Sequence, residues 1–337
     1  WLDDFSGNLK TLTDNEDMAF DLLRQAMTQP RFDAEPVARL KRQIASNIRR
    51  DSENPTAVAF NALFKGFFPD HGYGKRSDGT EQSVAAITTD DLRGFVAGRL
   101  ARGNLTVGVV GDITPERLGA LLDRTFGALP AHANGTQAAN VKPHATGRVA
   151  VIEKDIVQSS IVFGHHGPQR DDPDYYAVLL ANHILGGGSF TSRLYSEVRE
   201  KRGLAYSVSA GLYPLERTGL IVGSAGTANA RVGETIDIIK NEWRRMAAGE
   251  VTESELTDAK TYITGSFPLS FTSTDKIARV LVAMQTNRLG IDYLDQRSAL
   301  IAGVTLADVK RVAAKYLDAD KLDIVVVGKP EGVVSKP

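Results

Sequence analysis

The strongest constraint on the fold is an internal duplication, because a chain that repeats its own pattern builds the same structural unit twice. The segment ITTDDLRGFVAGRLARGNLTVGVVGD, which begins at Ile87, recurs as VTLADVKRVAAKYLDADKLDIVVVGK from Val304, 217 positions later. Each copy predicts a helix capped by a threonine with an aspartate three residues further on, followed by an apolar strand that ends at a glycine. The capping residues are Thr88 with Asp91 and Thr305 with Asp308, and the predicted strands cover residues 105–110 and 322–327.

The duplication also includes two helices upstream of each copy. AFDLLRQAM from Ala19 matches TIDIIKNEW from Thr235, and EPVARLKRQI from Glu35 matches SELTDAKTYI from Ser254. All four segments have the apolar spacing of helices that bury one face. We therefore expect corresponding helices in the two halves of the chain.

The two copies are separated by a segment rich in Pro, Gly, Asn and Ala without apolar periodicity, which predicts a linker over residues 131–147. We predict an α+β protein of two homologous domains, residues 1–130 and 148–337, each built from a mixed sheet and helices. The second copy opens with the apolar strands and the helix of residues 148–217, which have no counterpart in the first copy. We therefore expect the first domain to be incomplete at its N-terminus and the native chain to be longer.

Composition excludes several classes of function. The 40 Lys and Arg residues nearly balance the 41 Asp and Glu residues, so no global basic field favours nucleic acid or anionic lipid as a partner. The chain has no cysteine, which excludes disulfides, thiolate metal sites and a cysteine nucleophile. No apolar run is long enough to predict a membrane span.

The stretch GGGSFTSRLYSEVREKRGLAY, which begins at Gly186, is the densest in the chain. Its glycines lack the lysine and serine of a phosphate-binding loop, so they predict a hinge or a closely packed turn. The charged helix after them would ordinarily be a solvated face. His165 and His166 are neighbours on a predicted strand and point to opposite faces, which argues against a shared metal ion.

The longer segment DPDYYAVLLANHILGGGSFTSRLYSEVREKRGLAYSV resembles the second-domain signature of the insulinase/pitrilysin metallopeptidases, in particular bacterial relatives of mitochondrial processing peptidase. The resemblance covers nearly the whole chain and includes NLTVGVVGDI, which begins at Asn104. It implies two α+β halves of the same fold that face one another across a closed chamber.

The resemblance also implies functional residues. The family's second domain supplies an arginine and a tyrosine seven residues apart, which match Arg199 and Tyr206. A guanidinium can hold a peptide carbonyl, and a phenol can donate to the oxygen that gains charge in a tetrahedral intermediate. The loop before them is expected to bind substrate or to act as a hinge; its residues are Gly186, Gly187, Gly188, Ser189 and Phe190.

The zinc site of the family has no match in this sequence. The His-x-x-Glu-His motif is absent, and the family's two glutamates on a later helix correspond to Leu40 and Asn47 in EPVARLKRQIASNIRRD. Leucine cannot ligate zinc, and asparagine is a poor replacement for a carboxylate. The resemblance therefore implies a non-catalytic subunit with no metal of its own, whose homologous partner carries the zinc.

Two alternatives stay open from the sequence. The chain could be part of a complete one-chain zinc peptidase with its zinc motif upstream of Trp1, or it could be a structural or peptide-binding scaffold without activity. For a peptidase we expect extended peptides as substrates, bound partly along a sheet edge. The bacterial resemblance and the lack of cysteine favour a periplasmic location over a cytoplasmic one.

Overall fold

The computed structural model describes residues 2–135 and 138–336, and the first part of the chain is helical. Its helices are α1 (Glu16–Thr28), α2 (Ala34–Glu53), α3 (Pro55–Phe67), α4 (Glu81–Ala86), α5 (Thr89–Arg99) and α6 (Pro115–Phe126). The break between α2 and α3 has a local cause: the side chain of Asn54 accepts hydrogen bonds from the amides of Thr56 and Ala57, and Pro55 occupies the first helical position.

A five-stranded mixed sheet forms the centre of the second part. Its strands are β1 (Val149–Glu153), β2 (Gln158–His166), β3 (Ala205–Pro214), β4 (Gly219–Ala228) and β5 (Asp323–Gly328), in the spatial order β1-β5-β2-β4-β3. Strands β1 and β5 pair in parallel and the remaining pairs are antiparallel. The predicted mixed sheet is therefore confirmed, with β3 as one of its edge strands.

Further helices lie in the second part of the chain, and most of them contribute side chains to the core on one face of this sheet. They are α7 (Tyr175–Asn182), α8 (Val232–Ala247), α9 (Glu253–Gly265), α10 (Thr274–Thr286), α11 (Tyr293–Ala302) and α12 (Leu306–Tyr316). The core on this face includes Trp243, which is fully buried and meets the ring of Phe163 edge to face at 5.6 Å between centroids. Burial of such apolar side chains supplies most of the stabilisation of this layer.

Helix α3, from the first part of the chain, covers the opposite face. Leu63 and Phe67 are fully buried there against Val162 and Val325 of the sheet. The approach is close enough that a Cβ at Gly164 would lie 3.0 Å from Leu63 and Phe67. The sheet is therefore a middle layer between helices from the two parts of the chain.

The duplicated pattern gives matching helices, as predicted. Helices α1 and α8 contain the first pair of matched segments, and α2 and α9 contain the second. Helices α5 and α12 both begin with a reciprocal capping box, in which the threonine side chain accepts from the amide three residues on and the aspartate accepts from the threonine amide. The capping residues are the predicted ones, Thr88 with Asp91 and Thr305 with Asp308.

The strand predicted over residues 105–110 is wrong. Its counterpart in the second copy is β5. In the part of the chain that the structure describes, residues 105–110 pair with no other strand. The segment lies instead along α10, where the side chain of Gln285 donates to the carbonyl of Val107 at 3.2 Å and a Cβ at Gly108 would meet Ala278 at 2.8 Å. An apolar segment becomes a strand only when a neighbouring strand accepts its hydrogen bonds.

The predicted linker over residues 131–147 has two residues, 136 and 137, that lie outside the described residues. Its C-terminal end is held by a buried carboxylate: Oδ1 of Asp323 accepts from the amides of Thr146, Gly147 and Arg148 at 2.8, 2.9 and 3.1 Å. Asp323 is 1% exposed at the start of β5, so these bonds attach the end of the linker to the sheet. Among the described residues, none of the helices combines the length and the apolarity needed to span a bilayer.

Candidate functional site

The glycine run packs tightly against the edge strand β3. Helix α7 continues into a π-helical segment, His183–Gly187, whose end lies beside Ala210. A Cβ at Gly186 would lie 2.8 Å from both the Cβ and the backbone nitrogen of Ala210, and one at Gly187 would lie 2.9 Å from the side-chain Nδ2 of Asn182. Because those distances are shorter than any real Cβ contact, the glycines are required for close packing, which is one of the two roles that the sequence predicted.

The loop after the glycines turns sharply and exposes an aromatic ring. Ser189 has a φ of 47°, in the left-handed region that non-glycine residues rarely adopt. The next residue, Phe190, is 69% exposed, and its ring meets that of Tyr195 edge to face at 5.0 Å. The loop therefore presents a large apolar side chain beside the helix that follows.

The second π-helical segment, Tyr195–Glu200, carries Arg199 and is called here the Arg199 helix. It is fixed to the core by Leu194 and Val198, which are fully buried. Gly203, with a φ of 59°, ends the helical path and lets the chain enter β3. Short π-helical segments inside helices are rare and occur frequently at functional sites.

A β-bulge at the start of β3 exposes Tyr206. The pairing with β4 shifts between Ala205, opposite Thr227, and Val208, opposite Ala225. Ala205 and Val208 are buried, whereas Tyr206 is 81% exposed together with its exposed neighbour Ser207. A bulge of this kind breaks the in-out alternation of a strand and redirects a side chain. It is the reason that the phenol points away from the core.

The guanidinium of Arg199 contacts two tyrosine rings. Its Cζ atom is 4.9 Å from the centroid of Tyr195 and 4.8 Å from the centroid of Tyr206. Each contact is a cation–π interaction worth about 0.5–1 kcal/mol at exposed positions. The two residues that the resemblance singled out are thus in contact at the surface.

An ion-pair network holds the chain just before the Arg199 helix, and the sequence analysis did not find it. Arg193 donates to both carboxylate oxygens of Glu255, at 2.6 and 2.8 Å, and to the carbonyl of Glu250. Its guanidinium also lies 4.0 Å from the buried Glu242 of α8, which pairs with Arg245 at 2.8 Å. The only sequence signal was the capping position of Glu255 three residues after Thr252.

A cavity of about 200 Å³ lies at the edge of the sheet next to the glycine run. Phe60 of α3 and the glycine run form its walls, and residues of β3 and β4 form its floor. Its lining residues are Phe60, Gly186, Gly187, Ser189, Ser209, Ala210, Gly211, Tyr213, Val222, Gly223 and Ser224. The cavity therefore shares the predicted loop residues with the surroundings of Arg199.

The positions that correspond to zinc ligands do not form a metal site. Leu40 is 50% exposed on α2. Asn47 lies further along the same helix and is half-buried. Within residues 2–135 and 138–336, no three His, Cys, Asp or Glu side chains cluster closely enough to hold a metal ion. Leu40 and Asn47 do not by themselves supply the three or four nitrogen, sulfur or carboxylate ligands that zinc needs.

The two adjacent histidines have separate structural surroundings. His165 is buried, with Nδ1 3.0 Å from the carbonyl oxygen of His166, and the ring of His166 stacks on that of Tyr316. Burial lowers the pKa of both imidazoles. Each of the two histidines therefore has packing contacts of its own.

Comparisons with known proteins agree with this architecture. A family model described as the peptidase M16 inactive domain matches residues 86–263, which is more than half of the chain. A crystal structure of a peptidase M16 inactive domain from Pseudomonas fluorescens superposes with a TM-score of 0.88 at 33% identity and covers 96% of this chain and 77% of that one.

Curated relatives are named as zinc proteases of uncharacterized function. The protein YmxG of Bacillus subtilis is 25% identical over 266 residues, which are 79% of this chain and 64% of the relative. A relative from Streptomyces coelicolor is 28% identical over 314 residues, which are 89% of this chain and 66% of that protein. The chain therefore spans about two thirds of the length of these relatives.

Proposed function

Because the chain belongs to the family of the peptidase M16 inactive domain, we propose that it is the non-catalytic subunit of a heterodimeric zinc endopeptidase. Membership confirms the insulinase-type resemblance in the sequence. In this proposal a homologous partner subunit carries the zinc, and the present chain contributes Arg199 and Tyr206 to the shared active site. The peptide substrate lies extended between the two subunits.

The observation that carries the proposal is the contact between Arg199 and Tyr206. The guanidinium is 4.8 Å from the centroid of the phenol ring, and Tyr206 is 81% exposed. A π-helical segment carries Arg199, the left-handed Gly203 follows it, and a bulge lies at Tyr206. Departures of this kind from regular geometry cost free energy and cluster at functional sites.

The chemistry of the pair suits binding of a peptide bond as it is cleaved. The N–H groups of Arg199 can donate to the peptide carbonyl, and the hydroxyl of Tyr206 can donate to the oxygen that becomes negatively charged. Tyr195 makes a second cation–π contact with the guanidinium, which limits the rotamers that Arg199 can adopt before substrate arrives. Neither residue supplies a nucleophile or a base.

The zinc-ligand positions support a division of labour between two subunits. Leu40 and Asn47 stand where active family members have carboxylates, and they offer no ligand set for zinc. A chain with this pair of substitutions would bind and orient the peptide, while the partner would hold the metal and the attacking water.

The proposal is tested by mixing the full-length protein with a homologous zinc-bearing peptidase from the same organism and following cleavage of an unstructured, internally quenched peptide. We expect activity in the mixture and none with this protein alone. Tyr206→Phe and Arg199→Ala are each expected to lower the rate on the order of a hundredfold, because each removes a donor to the developing charge. Tyr262→Phe and Arg231→Ala are matched controls at exposed positions elsewhere.

The outcomes separate the three interpretations. A mixture whose rate is unchanged by both Arg199→Ala and Tyr206→Phe would contradict the proposal. One tightly bound zinc per chain in the full-length protein, with activity in the absence of a partner, would favour a complete one-chain peptidase. Peptide binding that survives both substitutions, without cleavage by any mixture, would favour a scaffold.

A further inference from the structure

We propose that the 200 Å³ cavity beside the glycine run receives one uncharged side chain of the bound peptide and thereby sets the specificity of cleavage. We call it the side-chain pocket. This inference rests on the proposed function, because it needs a peptide held at Arg199 and Tyr206. It names the chemical class of substrate: a peptide with an aliphatic, aromatic or small uncharged residue at one fixed distance from the cleaved bond.

Four separate parts of the chain line the side-chain pocket, and three of them are β3, β4 and α3. Ser209 and Gly211 alternate with the buried Ala210 on β3, so they face the side of the sheet that α3 covers. Ser224 lies opposite Ser209 on β4 and extends the same floor. Phe60 of α3 closes one side of the cavity.

The fourth side of the pocket is the glycine run. Gly186 and Gly187 approach β3 so closely that a Cβ at Gly186 would meet Ala210 at 2.8 Å. This contact fixes the position of the loop relative to the strand. The pocket is therefore bounded by packed elements and is present before any peptide binds, which reduces the entropic cost of binding.

The volume of the side-chain pocket argues for a side chain over a free small molecule. At about 200 Å³ it lies below the ~300–1,000 Å³ that pockets for small-molecule ligands occupy. It corresponds to roughly six or seven water molecules at about 30 Å³ each. A single side chain of a peptide bound along the site can displace this water.

The chemistry of the lining excludes charged side chains. None of the lining residues, all of them within the described ranges, is an Asp, Glu, Lys or Arg. Phe60, Tyr213 and Val222 provide apolar surface, and the serine hydroxyls provide the only side-chain hydrogen-bonding groups besides the phenol of Tyr213. An ionised side chain would lose its hydration there without gaining an opposite charge, which is unfavourable.

The distance along β3 sets the register between the pocket and the cleaved bond. Tyr206 and Ser209 are three residues apart on β3, and because the bulge between Ala205 and Val208 lies in this stretch, their separation is shorter than the ~10 Å that three residues of regular strand would span. An extended peptide that runs beside β3 rises by ~3.3 Å per residue. A peptide bond at Tyr206 therefore places the side chain two or three residues away at the pocket.

The pocket and the active pair also contact one another through side chains. Ser189 lines the pocket, and its neighbour Phe190 packs on Tyr195, whose ring lies under the guanidinium of Arg199. A side chain that fills the pocket thus rests on the same loop that supports Arg199. For this reason we expect occupancy of the pocket to affect the rate of cleavage as well as binding.

A charge substitution in the pocket provides the sharpest test. Internally quenched ten-residue peptides carry Leu, Lys or Asp as a guest at each position in turn, and cleavage is measured with the mixture of this protein and its zinc-bearing partner. We expect the wild-type mixture to prefer Leu over Lys and Asp by about tenfold in kcat/KM at one position, two or three residues from the cleaved bond. Ser224→Asp should shift the preference at that position to Lys.

A second substitution fills the pocket and leaves its charge unchanged. Ser209→Leu places an apolar side chain where the guest residue would lie, so the preference at that position should change from Leu to Gly or Ala. Ser254→Asp, on the exposed face of α9, is the matched control and should leave all preferences as in the wild type. Thermal unfolding of each variant checks that the fold is retained.

Failure of the pocket and failure of the proposed function give different results. If Arg199→Ala abolishes cleavage but the guest preferences of wild type, Ser224→Asp and Ser209→Leu are the same, the pocket is excluded and the proposed function stands. A preference for Lys or Asp in the wild type at the pocket position would also overturn the inference. If Arg199→Ala and Tyr206→Phe have no effect, both proposals fall together.

Discussion

Arg193 and Glu255 are joined by two hydrogen bonds, of 2.6 and 2.8 Å, that connect the residues before the Arg199 helix to the first turn of α9. The side chain of Arg193 is 13% exposed and that of Glu255 is 30% exposed. A partly buried ion pair of this geometry contributes more than an exposed one, because solvent screens it less. The pair therefore fixes where the Arg199 helix starts.

The Arg193–Glu255 pair makes stability depend on pH. Burial acts to raise the pKa of Glu255, but hydrogen bonds from Arg193 and Thr252 outweigh it and hold the pKa below its ordinary value of 4.5. A depressed carboxyl pKa contributes stability above the unfolded-state value, and that stability is lost as pH falls through the folded-state pKa. Glu255→Gln should cost about 1–2 kcal/mol at pH 7 and should reduce the loss of stability below pH ~4.5.

The measurement is urea unfolding of the wild type and of Glu255→Gln between pH 3 and 7. Glu253→Gln, on the exposed side of the same helical turn, is the control and should change stability by less than about 0.5 kcal/mol. Parallel pH profiles for the wild type and Glu255→Gln would show that the pair contributes nothing specific.

The close contact of Gly186 with β3 predicts that alanine lowers the stability of the protein at this position but not at a glycine with free space around it. Gly186→Ala should destabilise the protein by about 1–3 kcal/mol, because the new Cβ would overlap Ala210 and approach Leu194 at 3.0 Å. Gly226→Ala is the matched control within the same sheet, since no atom lies within 4 Å of its added Cβ. It should be neutral or stabilise the protein by up to about 1 kcal/mol. Equal midpoints of chemical unfolding for the two variants would contradict the packing argument.

The buried carboxylate of Asp323 is expected to hold the end of the predicted linker. Asp323→Ala removes three hydrogen bonds from the amides of Thr146, Gly147 and Arg148 and should cost about 3 kcal/mol. Asp323→Asn keeps an acceptor oxygen at the same place and should cost less. Hydrogen exchange resolves the two: the three amides should exchange much faster in Asp323→Ala than in Asp323→Asn. Unchanged protection in the alanine variant would show that other contacts hold this segment.

Tyr195 is predicted to position Arg199 without being essential for folding. Tyr195→Leu removes a cation–π contact worth about 0.5–1 kcal/mol, so kcat/KM of the mixture with the partner should fall about two- to fivefold. Tyr195→Phe keeps the ring and should retain the wild-type rate. An independent measurement is the NMR signal of the Arg199 Nε–H group, which should move away from its ring-shifted position in Tyr195→Leu only. A wild-type signal in that variant would rule out the contact in solution.

Local sequence patterns were sufficient where the structure depends on neighbours in the chain. The caps at Thr88 and Thr305 need only an aspartate three residues on, and both capping boxes form. The glycines from Gly186 predicted a hinge or a closely packed turn, and the structure has the close packing. The helices repeated in the two halves follow from apolar spacing in the same way.

Patterns failed where the structure depends on distant partners. Residues 105–110 have the same apolar character as β5 but no strand to pair with in the described residues, and a single sequence cannot show which segments will meet. The bulge before Val208 and the ion pair of Arg193 with Glu255 also depend on residues that are distant in the sequence, so the local pattern did not predict them. The pair of Arg199 and Tyr206, which are in contact, was predicted from the family resemblance. Their spacing of seven residues would also fit two positions on one long helix, so the spacing alone does not predict the contact.

The spatial order of the strands affects the order in which the sheet can fold. Strand β5 is the last of the five along the chain, yet it lies between β1 and β2 and pairs with both. During synthesis β1 would have no neighbour until residues 323–328 have left the ribosome, and it would have to wait for a segment about 170 residues downstream. Long-range strand pairing of this kind slows folding. Until β5 is available, chaperones or α3 would have to shield the apolar residues of β1 and β2 from solvent.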